Sequence, residues 1–242
     1  MRETRKRAGL VVPFVLFVLA GCFGLGRKSP TLEQYVLGGS TATEGAVSAR
    51  DRTGFTIGLR KLDLAPYLAT PAIVVRRGAQ QIITSEFHRW GEDPGASINR
   101  AVARFLVSRA DIRAVDIAPW SVQARYDYLI QLHVSRFEGA VPEESSPAGG
   151  EAHVAATWEI IRQHDGAVLA RGATDHRAGG WRVGDYAGLV SLLDNGLNVL
   201  ARDLGSCVAT LGPVTRRVAG TIAAEPYANA VSCGPRSEQA RP

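Results

Sequence analysis

The residues of this chain with chemistry to offer are three thiols and five imidazoles. Cys22 stands directly after Leu19-Ala20-Gly21, at the end of an apolar run from Leu10 to Leu19 that follows a basic start of Arg2, Arg5, Lys6 and Arg7. A thiol at a small-residue cleavage point can be acylated before the peptide is cut, so Cys22 is the candidate lipid acceptor. Cys207 and Cys233 remain, and in an oxidising periplasm they are either one bridge or two separate thiols. The histidines, His88, His133, His153, His164 and His176, are scattered singly. His133 and His153 fall on the polar sides of two expected strands, where a metal or acid–base role would need a carboxylate or cysteine at ligand spacing. None accompanies them, and they read as exposed sheet residues. No Gly-x-Ser-x-Gly elbow, His-Glu-x-x-His, Cys-x-x-Cys or dinucleotide fingerprint occurs, so no catalytic residue, cofactor or metal is expected.

Leu19-Ala20-Gly21-Cys22 resembles a bacterial lipobox. That resemblance implies cleavage between Gly21 and Cys22, a diacylglycerol on the thiol and a third acyl chain on the new amino terminus. A membrane-spanning helix would need about 20 apolar residues, whereas the run from Leu10 to Leu25 is interrupted by Pro13, Gly21 and Gly24. Two or more acyl chains hold a protein stably, so permanent anchoring is expected. Residues 1–21 carry four basic groups and Glu3; against totals of 28 basic and 23 acidic, the rest of the chain keeps 24 and 22. The high pI is thus a property of the signal and gives no reason to expect nucleic acid.

The elements that must position these groups follow from periodicity. Residues 22–33, with Gly24, Gly26, Ser29 and Pro30, read as a tether. One domain is expected over 34–205. It begins with a short strand at Tyr35-Val36-Leu37 and continues with another over Phe55 to Leu64. Ala72 to Val75 and Ile82 to Thr84 form a hairpin whose second arm continues to Trp90 and is ended by Pro94. Along that arm Glu86 and His88 face one way and Phe87 and Arg89 the other, which suits an edge strand better than a catalytic surface. Ile98, Val102, Phe105 and Leu106 recur at helical spacing between Ala96 and Arg109. Strands follow at Ile112 to Ile117 and Tyr126 to Val134, and a long loop is expected from Gly139 to Gly150. Val154, Ala156, Trp158 and Ile160 share a strand face, and Asp165-Gly166 turns into Val168 to Asp175. Asp185 caps a helix with Tyr186, Leu189, Val190, Leu193, Leu197, Leu200 and Leu204 in one stripe, and Gly205 is placed to stop it. Residues 206–242 read as a C-terminal extension, disordered over its last nine or so residues.

Tyr35-Val36-Leu37-Gly38, Ile73-Val74-Val75-Arg76, Ser85-Glu86-Phe87-His88-Arg89-Trp90 and Thr157-Trp158-Glu159-Ile160 together resemble the PqiC-type family of ABC-transport auxiliary lipoproteins, from about Tyr35 to Gly205. The resemblance implies an α+β fold: a mixed, largely antiparallel sheet with two long helices packed on one face. It also implies anchoring at the periplasmic face of the outer membrane, with inner-membrane retention the alternative, and no enzymatic role. Its implied partners are an MCE-domain periplasmic protein with its ABC permease and ATPase, met by a single copy or a homo-oligomer. An outer-membrane assembly or lipopolysaccharide-transport lipoprotein is the second reading, and a hydrolase around His133 and His153 the third. Because the helical stripes match the apolar strand faces, little is left to line a lipid cavity. Arg89, Trp90, Trp120 and Trp181, at element ends, are expected as exposed anchors for a protein partner.

Overall fold

A computed structural model describes residues 31–38, 54–109, 111–143, 149–212 and 230–233. Cys22, the tether before Thr31 and the final nine residues lie outside them. The chain divides into two units, Met1–Thr31 and Leu32–Pro242, and the architecture below belongs to the second. In order its elements are β1 (Glu33–Tyr35), β2 (Phe55–Leu59), β3 (Asp63–Leu64), a 3-10 turn at Pro66–Leu68, β4 (Ala72–Arg77), β5 (Gln81–Trp90) and α1 (Pro94–Val107). Then come β6 (Ile112–Ile117), β7 (Tyr128–Val141), β8 (Gly150–Ile161), β9 (Val168–Trp181), α2 (Tyr186–Leu211) and β10 (Val231–Cys233).

The sheet runs β1-β5-β4-β7-β8-β9-β10. Antiparallel ladders β7–β8 and β8–β9 extend over nearly the whole length of their strands. The free edge of β7 is shared end to end by three short parallel partners: β2 at Tyr128–Ile130, β3 at His133–Val134 and β4 at Gly139–Val141. The fold is α+β with a mixed sheet, and its long ladders are the antiparallel ones. Hairpin chemistry is local: Gly166 takes φ 74° in the β8–β9 turn, where Asp165 Oδ1 accepts from Ala167 N–H at 3.1 Å. Only glycine adopts such a φ at no steric cost.

One side of the long strands is apolar. Tyr128, Ile130, Leu132, Val134 and Phe137 of β7 and Ala152, Val154, Ala156, Trp158 and Ile160 of β8 form a single core with Ile98, Val102 and Leu106 of α1 and Leu189, Leu193, Leu197, Leu200 and Leu204 of α2. The stripe on α2 meets β8 and β9 on one side and α1 on another. Contact is close at Gly196, where a Cβ would lie 2.5 Å from Val154 Cγ2.

Of the boundaries that differ from expectation, three bear on the packing. Pro94 does not end β5; it opens α1, its missing N–H costing nothing at the first helical position, while Asp93 Oδ1 caps Ala96 N–H at 2.7 Å. The expected loop from Gly139 to Gly150 is shorter, because β7 runs to Val141 beside β4 and β8 already starts at Gly150. Gly205 does not stop α2, which continues to Leu211 and ends at Gly212, φ 67°. A helix-interior glycine costs about 1 kcal/mol, and the burial of Cys207 and Val208 beyond it offsets that cost. The extension also rejoins the body. β10 lies parallel to β9 at Ala170–Gly172, and Cys233 is bridged to Cys207 with Cα atoms 5.7 Å apart.

Candidate functional site

Two of the segments carrying the family-like residues, Tyr35 to Gly38 and Ser85 to Trp90, meet on one edge of the sheet, whereas Ile73 to Arg76 lies on β4 and Thr157 to Ile160 on the interior strand β8. β1 pairs in parallel with the end of β5, setting Glu33 opposite His88, Gln34 opposite Arg89 and Tyr35 opposite Trp90. Paired residues share a side, so Glu33, Tyr35, His88 and Trp90 face the helices. The His88 ring stacks on Tyr186, the first residue of α2, at 4.0 Å and 15°, and Tyr35 lies 6.2 Å beyond it. Trp181 meets Tyr186 edge-on at 6.3 Å, and its indole N–H donates to Asp185 O at 2.8 Å. Tyr35 donates to Glu33 Oε2 at 2.5 Å, and burial together with that carboxylate pushes its phenol up to about 12.

Two helices clamp the next turn of chain. Gly38, at φ 82°, donates its N–H to Asp194 Oδ1 of α2 at 2.9 Å, while its carbonyl accepts from Arg104 Nη1 of α1 at 3.0 Å. Burial raises the Asp194 carboxyl above the ordinary range, against the opposing pull of the Gly38 N–H and Arg104. At His88, Nδ1 is 2.8 Å from Ser85 Oγ and Nε2 is 3.8 Å from Glu33. Serine, histidine and glutamate therefore stand in line. Yet Ser85 Oγ also accepts from the His88 backbone N–H within its own strand, and Glu33 is outside hydrogen-bond reach. The trio links β1 to β5, and the Glu33 carboxylate at 3.8 Å does not hold the imidazole by a hydrogen bond.

The reverse side of the sheet holds a second constellation. Glu138, fully buried, receives Arg76 Nε at 2.5 Å and Arg136 Nη1 at 2.9 Å, and Arg76 lies over the Tyr67 ring at 5.4 Å. The carboxylate holds the Arg76 guanidinium even more firmly protonated than usual. Expected as exposed sheet residues without a carboxylate beside them, His153 and His133 are separated along the ladder, and each has a carboxylate partner. His153 is buried with Nε2 2.8 Å from Asp175, whereas the exposed His133 sits 2.8 Å from Asp63. Opposite His153 in register is Glu138, five residues beyond His133 on β7 and so about 17 Å along the strand. Among the described residues, no three His, Cys, Asp or Glu groups come together as metal ligands.

The four expected interface residues do not form one surface. Arg89 is exposed on the β1–β5 edge, its Nε donating to Glu86 O at 3.3 Å. Trp120 is half-buried at the far end of β7, edge-on to Tyr126 in a small cluster with Leu129 and Ile161. Trp90 and Trp181 are not exposed anchors at all, at 6% and 2% accessibility. Trp90 packs on Phe137 at 5.7 Å. Trp181 lies across two glycines: a Cβ on Gly139 or Gly150 would stand 2.7 Å or 2.5 Å from its ring. An aromatic at a strand end reads as an exposed anchor until the small residues beneath it are known. The clamp of Gly38 by Asp194 and Arg104 went unforeseen, since nothing in sequence spacing joins residues 156 apart.

Comparison of the sequence with curated proteins finds no match. Among solved structures, the fold is similar to that of protein XCC0632 from Xanthomonas campestris (TM-score 0.57, 17% identity, covering 76% of this chain and 94% of that one). It is also similar to an uncharacterized protein (TM-score 0.53, 13% identity, covering 74% and 99%). At such identities the likeness speaks for the fold alone. The sequence itself matches the model for the ABC-type transport auxiliary lipoprotein component over residues 35–205, from the ring stack on β1 to the second helix. The chain belongs to that family.

Proposed function

We propose that this protein is a non-enzymatic accessory of an MCE-type ABC system that moves lipid between the two membranes, tethered through acylated Cys22 to the periplasmic face of the outer membrane. The observation that carries the reading is the family match over nearly the whole β1-to-α2 body, with the lipobox-like cysteine just upstream. The packed core supports a role in binding protein, since the apolar faces of the sheet and both helices are consumed by each other. The partner is an MCE-domain protein acting with its permease and ATPase.

Isolation of the native lipoprotein from mildly solubilised envelopes, followed by mass spectrometry, is expected to recover those three components. Recovery of a barrel-assembly or lipopolysaccharide-transport complex without them would replace this reading by the other. The anchor is tested separately: Cys22→Ser is expected to leave an unlipidated, unprocessed precursor, and normal acyl labelling of that variant would refute it.

A further inference from the structure

Large apolar side chains that face solvent are concentrated on one edge of the molecule. Of the seven such residues among those described, Leu32, Val36, Ile82 and Phe87 lie on β1, its two flanks and β5. Alternation separates the sides of these strands. Glu33, Tyr35, His88 and Trp90 turn toward α2 and the core, which leaves Leu32, Gln34 and Val36 with Phe87 and Arg89 on the opposite side. The common side is borne out at Gly91, where a Cβ would approach Val36 Cγ1 to 3.2 Å and Gln34 Cβ to 3.8 Å. Leu32, Val36 and Phe87 are 49%, 57% and 39% accessible. Glu86 is exposed on the same strand, adjacent to Phe87.

We infer that the face formed by Leu32, Val36, Phe87 and Arg89 rests on the phospholipid surface that holds the anchor. This rests on the reading of Cys22 as acylated. Nine residues separate Cys22 from Leu32; extended, they reach about 30 Å, and as a flexible chain about 17 Å. The patch is therefore held beside the bilayer at high effective concentration, where even weak affinity suffices to seat it. Three apolar side chains flanked by an arginine match the acyl–headgroup boundary: the apolar groups enter, and the guanidinium stays among the phosphates. A tether carrying Arg27 and Lys28 adds to the attraction for anionic lipid. A protein partner has no comparable reason to meet this edge, which of all the described chain is nearest in sequence to the lipid.

The test places a photo-crosslinking amino acid at position 87 of the full-length acylated chain, reconstituted in vesicles of phosphatidylethanolamine and phosphatidylglycerol. The reference is the same probe at position 122, whose valine is 94% accessible elsewhere on the molecule. Lipid adducts at 87 are expected to exceed those at 122 roughly tenfold, and Val36→Asp in the probe-87 chain to remove most of the excess. Equal adducts at the two positions, or protein adducts at 87 in the envelope in place of lipid, would overturn the inference while leaving the anchor intact. An unacylated Cys22 by mass would overturn both.

Discussion

On the side of β8 that meets α2, Ala152, Val154, Ala156, Trp158 and Ile160 follow one another without a charge; on its reverse side Glu151, His153 and Glu159 each pair with a charged group of β9. The two sides belong to the same twelve residues. Burial on the helix side is non-directional and large, while the pairs on the reverse side are mostly exposed and screened by salt. Stability should therefore reside with the helices. The charged ladder instead specifies which residues stand opposite, since a one-residue slip would turn every apolar group outward and every charge inward.

The comparison breaks most visibly if the helix side proves tolerant. Leu197→Ala, at a fully buried site, is expected to cost about 3 kcal/mol, read from denaturant unfolding. Loss of the Cys207–Cys233 bridge in the double alanine variant removes a loop closure of 26 residues, up to about 3.5 kcal/mol in the chain-entropy model. Two titratable thiols in denatured protein from an oxidising periplasm would show that the bridge does not form. On the reverse side, among the described residues, the fully buried carboxylate of Glu138 gives the largest effect. Arg76→Met leaves Glu138 with Arg136 as its remaining cation and is expected to cost about 2 kcal/mol, and Glu138→Leu added to it should recover some of that loss.

The helix side carries its own exception in Asp194, whose carboxyl is raised by burial. The folded state then holds a proton that the unfolded chain releases earlier. Its contribution is full below the ordinary carboxylate range and is lost as pH rises through the raised folded value. Asp194→Asn is expected to flatten the stability profile across that window, and an unchanged profile would show that Asp194 ionises as easily folded as unfolded. Smallest of all, Arg171→Ala should cost about 0.5 kcal/mol and less in high salt, because both Arg171 and Glu159 are open to solvent.

These two sides were unequally legible in the sequence. The stripes of α1 and α2 and the alternation of β8 are periodic and local, so their apolar side could be read residue by residue. The far half of β7 could not, because Glu138 and Gly139 resemble loop residues until Arg76, Arg136 and Trp181 are brought beside them. Gly205 misled for a related reason. A Cβ there would meet Arg109, Ile112 and Leu106 at 3.5 to 3.9 Å, so the glycine sits where the helix passes its neighbours, and tertiary packing overrides propensity. The candidate edge was visible only in fragments. Tyr35, His88 and Trp90 could be singled out, but the stacking of Tyr35 and His88 toward Tyr186 depends on a parallel pairing of three residues that spacing does not encode.

With Cys22 acylated as proposed, that short strand would also lie on the load path. If Cys22 is fixed in a membrane and a partner pulls on the body, tension enters at Leu32 and must cross β1 before it reaches the core. Drawn along its own axis, β1 is loaded in shear, with its three pairings to β5 and the ring of Tyr35 sharing the force, and the Gly38 clamp behind them as a stop. Drawn sideways, the same pairings open in succession, each bearing the whole load in its turn. β1 has few contacts next to the long ladders, so it should yield first and reversibly, lengthening the tether while the sheet stays closed. The strand would serve as a mechanical fuse between anchor and domain.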